Sequence, residues 1–236
     1  MEKCLLSIDW DYFISEKKNN RCSFIENNRS LIDLWYKRYI EAKARGEDIQ
    51  DAFQLSSEWD KFWDSIKKHF RFGKNIKAYV SDSHALSYKI AKENNCSIVY
   101  LFDSHADLGY GGLSSLDFEV NCSNWLGKLF KDKQIVRANI FYSPFTSEKP
   151  EHFKAINNIY NVGYYKFSDL NELEKCVSVS AVHICRSGAW TPPWLDGMFV
   201  QFINASGIPY EMVNCPERKW DTDNIRLSDM IDYLMA

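Results

Sequence analysis

The amino-acid sequence predicts a three-layer α/β/α fold, in which helices cover both faces of a mostly parallel β-sheet. Two observations carry this prediction. Short apolar runs typical of buried strands alternate along the chain with amphipathic segments, which is the order found in parallel sheets. The 236 residues contain only 10 Gly and 6 Pro, with no linker-like stretch and no repeat. We therefore expect residues 1–236 to form a single domain.

The first third of the chain predicts one strand and two helices. Residues 4–9 (CLLSID) are short and apolar, as in a strand buried on both faces. Apolar side chains at helical spacing predict a helix over 30–45, which Gly46 ends. The same spacing predicts a second helix over 57–70.

Strands and helices alternate from residue 76 onward. Apolar and β-branched runs predict strands over 76–81, 97–103, 135–142, 177–184 and 209–214. Amphipathic segments predict helices over 84–95, 124–130, 194–206 and the C-terminal DTDNIRLSDMIDYLM. In a parallel sheet, ligands bind outside the carboxyl ends of the strands, so we expect the functional site there.

Composition and charge exclude several classes of protein. The net charge of −3 gives no general attraction to nucleic acid. No apolar run reaches the roughly 18 residues of a membrane helix, and charged residues interrupt the N-terminal MEKCLLSIDWDYF, unlike a signal peptide. An aromatic content of 15% excludes disorder. We expect no nucleic-acid partner and no membrane partner, and the sequence allows either a monomer or an oligomer.

The cysteines form neither a zinc motif nor a disulfide framework. No CxxC pair occurs among them, and most lie in apolar surroundings, where a free cysteine behaves as a small hydrophobic residue. We therefore predict reduced thiols and a cytoplasmic protein. The seven cysteines are Cys4, Cys22, Cys96, Cys122, Cys176, Cys185 and Cys215.

Ionisable side chains follow two of the predicted strands at a spacing of two residues. The segment SIDWD contains Asp9 and Asp11, and the segment DSHAD contains Asp103, His105 and Asp107. In an extended chain, residues at this spacing point to the same side, so each strand end would project its groups together. Taken singly, either segment also fits a solvated turn or a helix cap.

A third strand end adds a histidine. The predicted strand 76–81 leads into SDSHALSYKI and places His84 at the junction with the next helix. A lone histidine is more often a hydrogen-bonded core residue than a ligand. So many carboxylates at one sheet edge, however, repel each other unless a cation lies between them. The three segments together therefore predict a divalent metal pair, and their oxygen-rich ligands suit Mn²⁺ or Fe²⁺.

These segments resemble the metal motifs of the arginase/agmatinase/deacetylase superfamily. DSHAD (103–107) is similar to its DAHxD motif, SDSHALSYKI (81–90) to its GGDHS segment, and SIDWD (7–11) to its SxDxD motif. The resemblance implies an arginase-like fold with two Mn²⁺ ions per chain. It implies that Asp9 and Asp103 bridge the ions, that His84 and Asp107 complete one set of ligands, and that Asp11 and His105 complete the other.

The order of the motifs differs from that in ordinary arginases, where SxDxD follows DAHxD. This permuted order, with NCSNWLGKL (121–129) and ICRSGAWTPPW (184–194), resembles a divergent arginase-like family that includes peptide arginases. The resemblance implies a metal-dependent hydrolase acting on C–N bonds of linear amidines. Its substrate would be arginine within a ribosomally made precursor peptide, and its products ornithine and urea.

Further residues follow from this reaction. Asp107 would relay a proton to the leaving amine, and His183 is a second acid–base candidate, although a hydrogen-bonded buried histidine fits it equally well. Asp117 or Glu119 would bind the guanidinium. Asn121 and Asn124 are further substrate-binding candidates that also fit loop roles. Trp190 and Trp194 would form aromatic walls of a groove, or pack in the core.

Other functions stay open at this point. A free-arginine or agmatine hydrolase and a metal-dependent amide deacetylase would use a similar set of ligands. A two-metal phosphoesterase needs basic residues beside the motifs, and the sequence has none there. A non-catalytic module that metal merely stabilises would show no activity.

Overall fold

The computed structural model describes residues 3–17, 31–172 and 177–235. The strands of these residues are β1 (Cys4–Asp9), β2 (Ile14–Glu16), β3 (Phe53–Leu55), β4 (Phe70–Phe72), β5 (Ala78–Ser81), β6 (Ile98–Asp103), β7 (Arg137–Tyr142), β8 (Val162–Tyr165), β9 (Val177–Cys185) and β10 (Tyr210–Asn214). Their α-helices are α1 (Leu31–Ala44), α2 (Phe62–His69), α3 (Leu86–Glu93), α4 (Trp125–Lys131), α5 (Lys154–Asn157), α6 (Asp196–Ala205) and α7 (Leu227–Met235).

A parallel sheet forms the centre of the molecule. Its strands lie in the order β10-β5-β9-β1-β6-β7-β8, and β4 pairs with the start of β9. All of these pairs are parallel, whereas β2 and β3 form a separate antiparallel pair. The predicted α/β class with a mostly parallel sheet is confirmed.

Successive side chains of each strand point to opposite faces of the sheet. Because the buried strands carry apolar side chains on both faces, helices cover both of them. Along β1, Leu6 and Ile8 pack in a core with α2 and α6. Leu5 points the other way, into a second core with α3, α4 and α5. The first core holds most of the large buried aromatic rings. The three-layer arrangement therefore follows from the apolar runs of the buried strands.

The predicted helix over 57–70 is wrong at both ends. Residues Ser57–Asp60 form a 3-10 helix, α2 covers Phe62–His69, and Phe70 already belongs to β4. Phe70 and Phe72 pair with the start of β9, so a long-range contact overrides the local helical spacing. The short strands β2, β3 and β8 were not predicted, because segments of three or four residues show little periodicity.

Two further expectations concern the thiols and the membrane. Cys4 and Cys96 are buried free thiols, and Cys215 is a half-buried free thiol. Cys185 is buried and Cys122 is half-buried. Cys22 and Cys176 lie outside the described residues. Within the described part of the chain, even the longest helix, α1 with 14 residues, is too short to cross a membrane.

Candidate metal centre

The centre lies at the carboxyl ends of β1 and β6, where the sheet ends in two neighbouring aspartates. Ile8 pairs with Phe102, so Asp9 and Asp103 follow side by side. Each carboxylate accepts a hydrogen bond from the backbone N–H two residues later in the chain. Oδ1 of Asp9 accepts from Asp11 at 2.9 Å, and Oδ1 of Asp103 accepts from His105 at 2.8 Å. Each strand therefore ends in the same type of aspartate-capped turn.

These turns correct the prediction that the ligands converge because the chain stays extended. Residues Trp10–Phe13 form a 3-10 helix with Asp9 as its N-cap, so Asp11 is not on a strand. Asp107 has a φ of 51° and is likewise outside extended geometry. The spacing of two residues matters here because the capping carboxylate accepts a hydrogen bond from the backbone N–H two residues later. This bond places the next ionisable residue beside the capping aspartate.

One cluster forms around His84, which lies just before α3. Its Nδ1 atom is 3.1 Å from Oδ2 of Asp9, 2.9 Å from Oδ2 of Asp103 and 3.0 Å from Oδ2 of Asp107. All four side chains are buried. We call these residues the His84 group.

A second cluster forms around His105, whose ring is partly exposed. Its Nδ1 atom is 3.1 Å from Oδ2 of Asp11 and 3.5 Å from Oδ1 of Asp103. We call these three residues the His105 group. Asp103 belongs to both groups, with one carboxylate oxygen in each. All six metal ligands predicted from the sequence are therefore brought together by the fold.

The carboxylates of the centre perturb one another strongly. Burial, together with the charges of Asp107, Asp11 and Asp9, raises the pKa of Asp103 well above its usual range. Burial and the charge of Asp11 raise the pKa of Asp9 as well. The pKa of Asp11 is lowered, because His105 and hydrogen bonds outweigh burial. Four buried carboxylates at one place need positive charge to stay ionised.

The two histidines supply part of that charge when no metal is bound. Burial would lower the pKa of His84, but its contacts with Asp103, Asp107 and Asp9 raise it well above the usual range. Asp11 and Asp103 raise the pKa of His105 against burial in the same way. Both shifts favour the protonated, positively charged imidazole beside these carboxylates.

The polar atoms of the centre are better placed to bind a metal ion than to form hydrogen bonds with each other. Nδ1 of His84 and Oδ2 of Asp103 are buried, yet neither makes a hydrogen bond of acceptable geometry to any described residue. Buried polar atoms in that state are rare unless an ion or water completes them. Asp9, His84 and Asp103 offer ligand atoms close enough to hold one ion, and Asp11, Asp103 and His105 offer a second set. Oxygen and imidazole ligands suit a divalent cation.

Two neighbouring side chains, neither predicted from the sequence, hold the ligands in place. The indole Nε1 of Trp125 donates to Oδ2 of Asp107 at 2.6 Å, and the rings of Trp125 and His84 are 5.0 Å apart. The hydroxyl of Ser187 donates to Oδ2 of Asp9. Ser187 has a φ of 51°, as Asp107 does, and such backbone strain is often found at functional sites.

The loop that follows β9 carries Ser187 and Trp190 to the centre. The guanidinium of Arg186 anchors this loop by donating hydrogen bonds of 2.6 Å and 2.5 Å to the buried carboxylate of Asp82. Trp190 is half-buried, and its ring lies 5.8 Å from that of His105. Trp190 therefore borders the centre.

Trp194 lies elsewhere. Its ring packs 5.5 Å from that of Trp35 and 5.4 Å from that of Trp220, in a separate small core with α1. Of the two roles considered for Trp194, the structure favours packing.

The predicted substrate-binding residues of the loop after Asp107 mostly build the loop itself. Asn124 is buried, with its amide N–H groups on the carbonyls of Ser115 and Glu119 and its Oδ1 on the N–H of Asn121. Asn121 caps a turn by accepting from Ser123. The side chain of Glu119 is exposed. Asp117, also exposed, pairs with Lys131.

His183 lies behind His84 rather than on the open side of the centre. Its ring is fully buried, 5.6 Å from that of His84, and both ring nitrogens meet serine hydroxyls. Burial and the charge of His84 hold its pKa well below the usual range. Of the two roles considered for His183, the structure favours the hydrogen-bonded buried histidine.

A carboxylate that the sequence did not predict as a site residue lies at the rim of the centre. Oε2 of Glu148 accepts the N–H of Ala106 at 2.9 Å, directly between His105 and Asp107 in the chain. The hydroxyl of Tyr110 donates to its other oxygen, and that of Tyr142 lies 3.3 Å from Oε2. Glu148 is half-buried, and burial raises its pKa. It could not be found from spacing, because 42 residues separate it from Ala106.

Comparisons with known proteins found no match to this chain among family models, curated proteins or solved structures.

Proposed function

We propose that this chain is a two-metal hydrolase that converts arginine side chains of a ribosomally made precursor peptide to ornithine and releases urea. The observation that carries the proposal is the carboxylate of Asp103, whose two oxygens face different histidines. A carboxylate between two sets of ligands is suited to bridging a pair of ions. The resemblance of the DSHAD, SDSHA and SIDWD segments to arginase motifs supports the choice of reaction.

The metal in this proposal is Mn²⁺, with two ions per chain. The His84 group would hold one ion and the His105 group the other. Two such ions supply Lewis acidity and an activated water near neutral pH. Ligands made of oxygen and imidazole, without cysteine, favour Mn²⁺ over thiolate-preferring ions.

The reaction itself is a hydrolysis with a balanced set of bonds. The oxygen of water bonds to the guanidinium carbon, and the bond from that carbon to the side-chain nitrogen breaks. The nitrogen leaves as the amine of ornithine after taking up a proton, which Asp107 relays in this proposal. The remaining carbon and its two other nitrogens leave as urea.

Glu148 is the residue we assign to the guanidinium. A guanidinium requires a carboxylate at hydrogen-bond distance, and Glu148 stands beside the two ligand groups without belonging to either. The hydroxyls of Tyr110 and Tyr142 orient its carboxylate. This assignment replaces Asp117 and Glu119, which lie on the exposed loop.

A peptide substrate is supported by the surroundings of the centre. Trp190 borders the His105 group, and the loop after Asp107 exposes three large apolar side chains, Tyr110, Leu113 and Phe118. Exposed apolar side chains around a polar centre suit contact with a polypeptide. The proposal places the enzyme in the cytoplasm, where precursor peptides are made.

The test is to incubate the chain with Mn²⁺ and an arginine-containing peptide, and in parallel with free arginine, agmatine and an acetyl-lysine peptide. We expect urea release and, by mass spectrometry, the mass difference between arginine and ornithine in the peptide alone. The matched control is the same peptide with lysine in place of arginine.

The other outcomes separate the alternative functions. Urea from free arginine or agmatine but not from the peptide would replace the substrate class. Acetate from the acetyl-lysine peptide would indicate a deacetylase. A metal-loaded chain inactive on all four substrates would refute the hydrolase proposal and leave a metal-stabilised module.

A further inference from the structure

A row of buried hydroxyl and imidazole groups runs away from the metal centre behind His84. Nε2 of His84 is 2.7 Å from the hydroxyl of Ser7, which is 2.8 Å from that of Ser87. The Ser87 hydroxyl is 2.6 Å from Nδ1 of His183, and Nε2 of His183 is 2.9 Å from the hydroxyl of Ser81. Each of these five side chains is at most 2% exposed. We call them the serine–histidine row.

The fold explains why these residues meet. Ser7 and His183 are register partners on β1 and β9, so they lie side by side on the sheet face that α3 covers. Ser87 follows His84 by one helical turn, and its backbone N–H donates to the carbonyl of His84 at 3.0 Å. The row is therefore built from three rigid elements, β1, β9 and α3, and ends on β5.

The far end of the row sets the direction of its hydrogen bonds. The hydroxyl of Ser81 donates to the backbone carbonyl of Ser83 at 2.8 Å, and a carbonyl can only accept. Ser81 has used its only hydrogen there, so Nε2 of His183 must donate to it. A neutral imidazole that donates from Nε2 accepts at Nδ1, and hence accepts from Ser87.

The same logic continues to the metal ligand. Because the Ser87 hydroxyl donates its hydrogen to His183, its oxygen accepts a hydrogen bond from the Ser7 hydroxyl. The Ser7 oxygen in turn accepts a hydrogen bond from the Nε2–H group of His84. The proton of a neutral His84 is thereby held on Nε2. Its Nδ1 lone pair then faces Asp9, Asp103 and Asp107, which is the state that a metal requires. The reverse direction would take the Ser81 hydrogen away from the Ser83 carbonyl.

We propose that the serine–histidine row fixes the tautomer and ring orientation of His84 for metal binding, with His183 and Ser87 as positioning residues. His183 then acts from behind the ligand and never touches the substrate. A second partner that holds the other nitrogen of a ligating histidine usually contributes about ten- to hundredfold to metal affinity. The inference depends on metal binding alone, so it stands or falls independently of the guanidinium reaction.

The test combines metal affinity with the tautomers of the histidines. We would titrate the unmodified chain, Ser87→Ala and Ser81→Ala with Mn²⁺ by calorimetry. We expect Ser87→Ala to weaken binding of the ion of the His84 group about tenfold, the lower end of that range, because Ser87 acts on His84 through Ser7. Ser81→Ala removes only the group that sets the direction of the hydrogen bonds, so we expect a smaller loss of metal affinity. The ion of the His105 group should bind unchanged, since the row does not contact His105.

Nitrogen NMR supplies a readout that a merely structural role would not move. The chain has only five histidines, so selective ¹⁵N-histidine labelling resolves them, and Zn²⁺ serves as the diamagnetic probe. In the loaded unmodified chain we expect protons on Nε2 of both His84 and His183. In Ser81→Ala we expect His183 to show a mixture of tautomers, because the Ser83 carbonyl then no longer fixes the direction of the row.

The control is Ser206→Ala, because Ser206 is equally buried but caps the N–H of Ile208 at the end of α6, far along the chain from the row. Metal affinity should not change in this variant. The proposal is overturned if both row variants bind metal as tightly as the unmodified chain. It is also overturned if the loaded protein carries the His183 proton on Nδ1, or if the unmodified chain binds no metal. If Ser87→Ala does not fold, Ser81→Ala and the NMR spectrum of the unmodified chain decide.

Discussion

Asp103 differs from the other carboxylates of the centre because its two oxygens serve two different histidines. Asp11 serves only His105. A substitution at Asp103 should therefore affect both groups of ligands, whereas one at Asp11 should affect a single group.

This difference gives a prediction about metal stoichiometry. In Asp103→Asn we expect both ions to bind more than about a hundredfold more weakly, and turnover to be lost, because a ligand matters more than its outer partner. The fold should persist: burial and like charges already raise the pKa of Asp103, so a neutral side chain relieves repulsion in the metal-free protein. Asp11→Asn should keep one tightly bound ion. Metal analysis after dialysis checks both, and two retained ions in Asp103→Asn would contradict the shared ligand.

Glu148 gives a second prediction, about substrate rather than metal. Glu148→Gln keeps the size of the side chain but removes the charge that pairs with a guanidinium. We expect KM for the arginine peptide to rise about tenfold or more, the range of a charge-assisted hydrogen bond, while two ions remain bound. The matched control is Glu151→Gln, because Glu151 is exposed on the nearby 3-10 helix Pro150–Phe153. An unchanged KM in Glu148→Gln would remove Glu148 from the substrate site.

At the residue scale, the sequence predicted the ligands better than their surroundings. The ligands are close in sequence within each segment, and such local patterns follow from strand ends and capped turns. Trp125 lies 18 residues from Asp107, and Glu148 lies 42 residues from Ala106, so no local sequence spacing predicts their contacts with the centre. For Asn124 and His183, the sequence left two roles open, and the buried hydrogen bonds of each residue favour the structural one.

At the scale of elements, α4 must approach the ligand segment very closely. The N–H groups of Leu126 and Gly127 reach the carbonyl of Asp107 at 3.1 Å and 3.4 Å. A Cβ atom on Gly127 would lie 2.3 Å from the carbonyl oxygen of Leu108. Only glycine allows α4 to sit where Trp125 can donate to Asp107.

We therefore expect Gly127→Ala to force α4 away from the segment that carries Asp107. The free energy of unfolding should fall by about 1–3 kcal/mol, as in other overpacked cores, and metal affinity should fall with it. Gly197→Ala is the matched control, since a Cβ in this part of α6 meets no atom within 4 Å. That variant should be stabilised by about 0.5–1 kcal/mol through helix propensity. Urea unfolding checks both, and equal stabilities would show that α4 can shift at no cost.

The sequence predicted the long elements at this scale because burial on both faces leaves a strong apolar signal. Strand β1 matches its predicted range, and β6 and α3 lie within theirs. The predicted C-terminal end of α2 was wrong because β4 pairs with β9, more than a hundred residues away. A pairing that distant is decided by the whole sheet and not by local sequence.

At the scale of the whole molecule, the candidate metal centre joins segments that are far apart in the chain. Residues 9–11, His84 and 103–107 meet only when the sheet has formed. A metal that binds this state and not the unfolded chain stabilises the fold by mass action, by about 2.7 kcal/mol at a hundredfold excess over Kd.

This stabilisation should depend on pH in a defined direction. In the metal-free fold the pKa values of His84 and His105 are raised, so the stability they add is present below their usual range and is lost as pH rises through the raised values. Asp9 and Asp103, also with raised pKa, further weaken the metal-free fold as they ionise. The metal binds the deprotonated ligands, so its contribution grows over the same range.

We expect the difference in Tm between Mn²⁺ and EDTA samples to increase from about pH 6 to about pH 8. Calorimetry in buffers of different ionisation enthalpy should show protons released on binding at neutral pH. A difference in Tm that stays constant over this range would mean that the ligands are already deprotonated in the metal-free protein.

Two of the eight tryptophans of the chain lie against the histidines of the centre. Trp125 stands against His84 and Trp190 against His105, so each half of the centre has a separate fluorophore. Because the N–H of Trp125 donates to Asp107, we expect its emission to change when Asp107 takes up a metal. Filling of the two halves can therefore be followed in the unlabelled protein, with Trp190→Phe separating one contribution from the other.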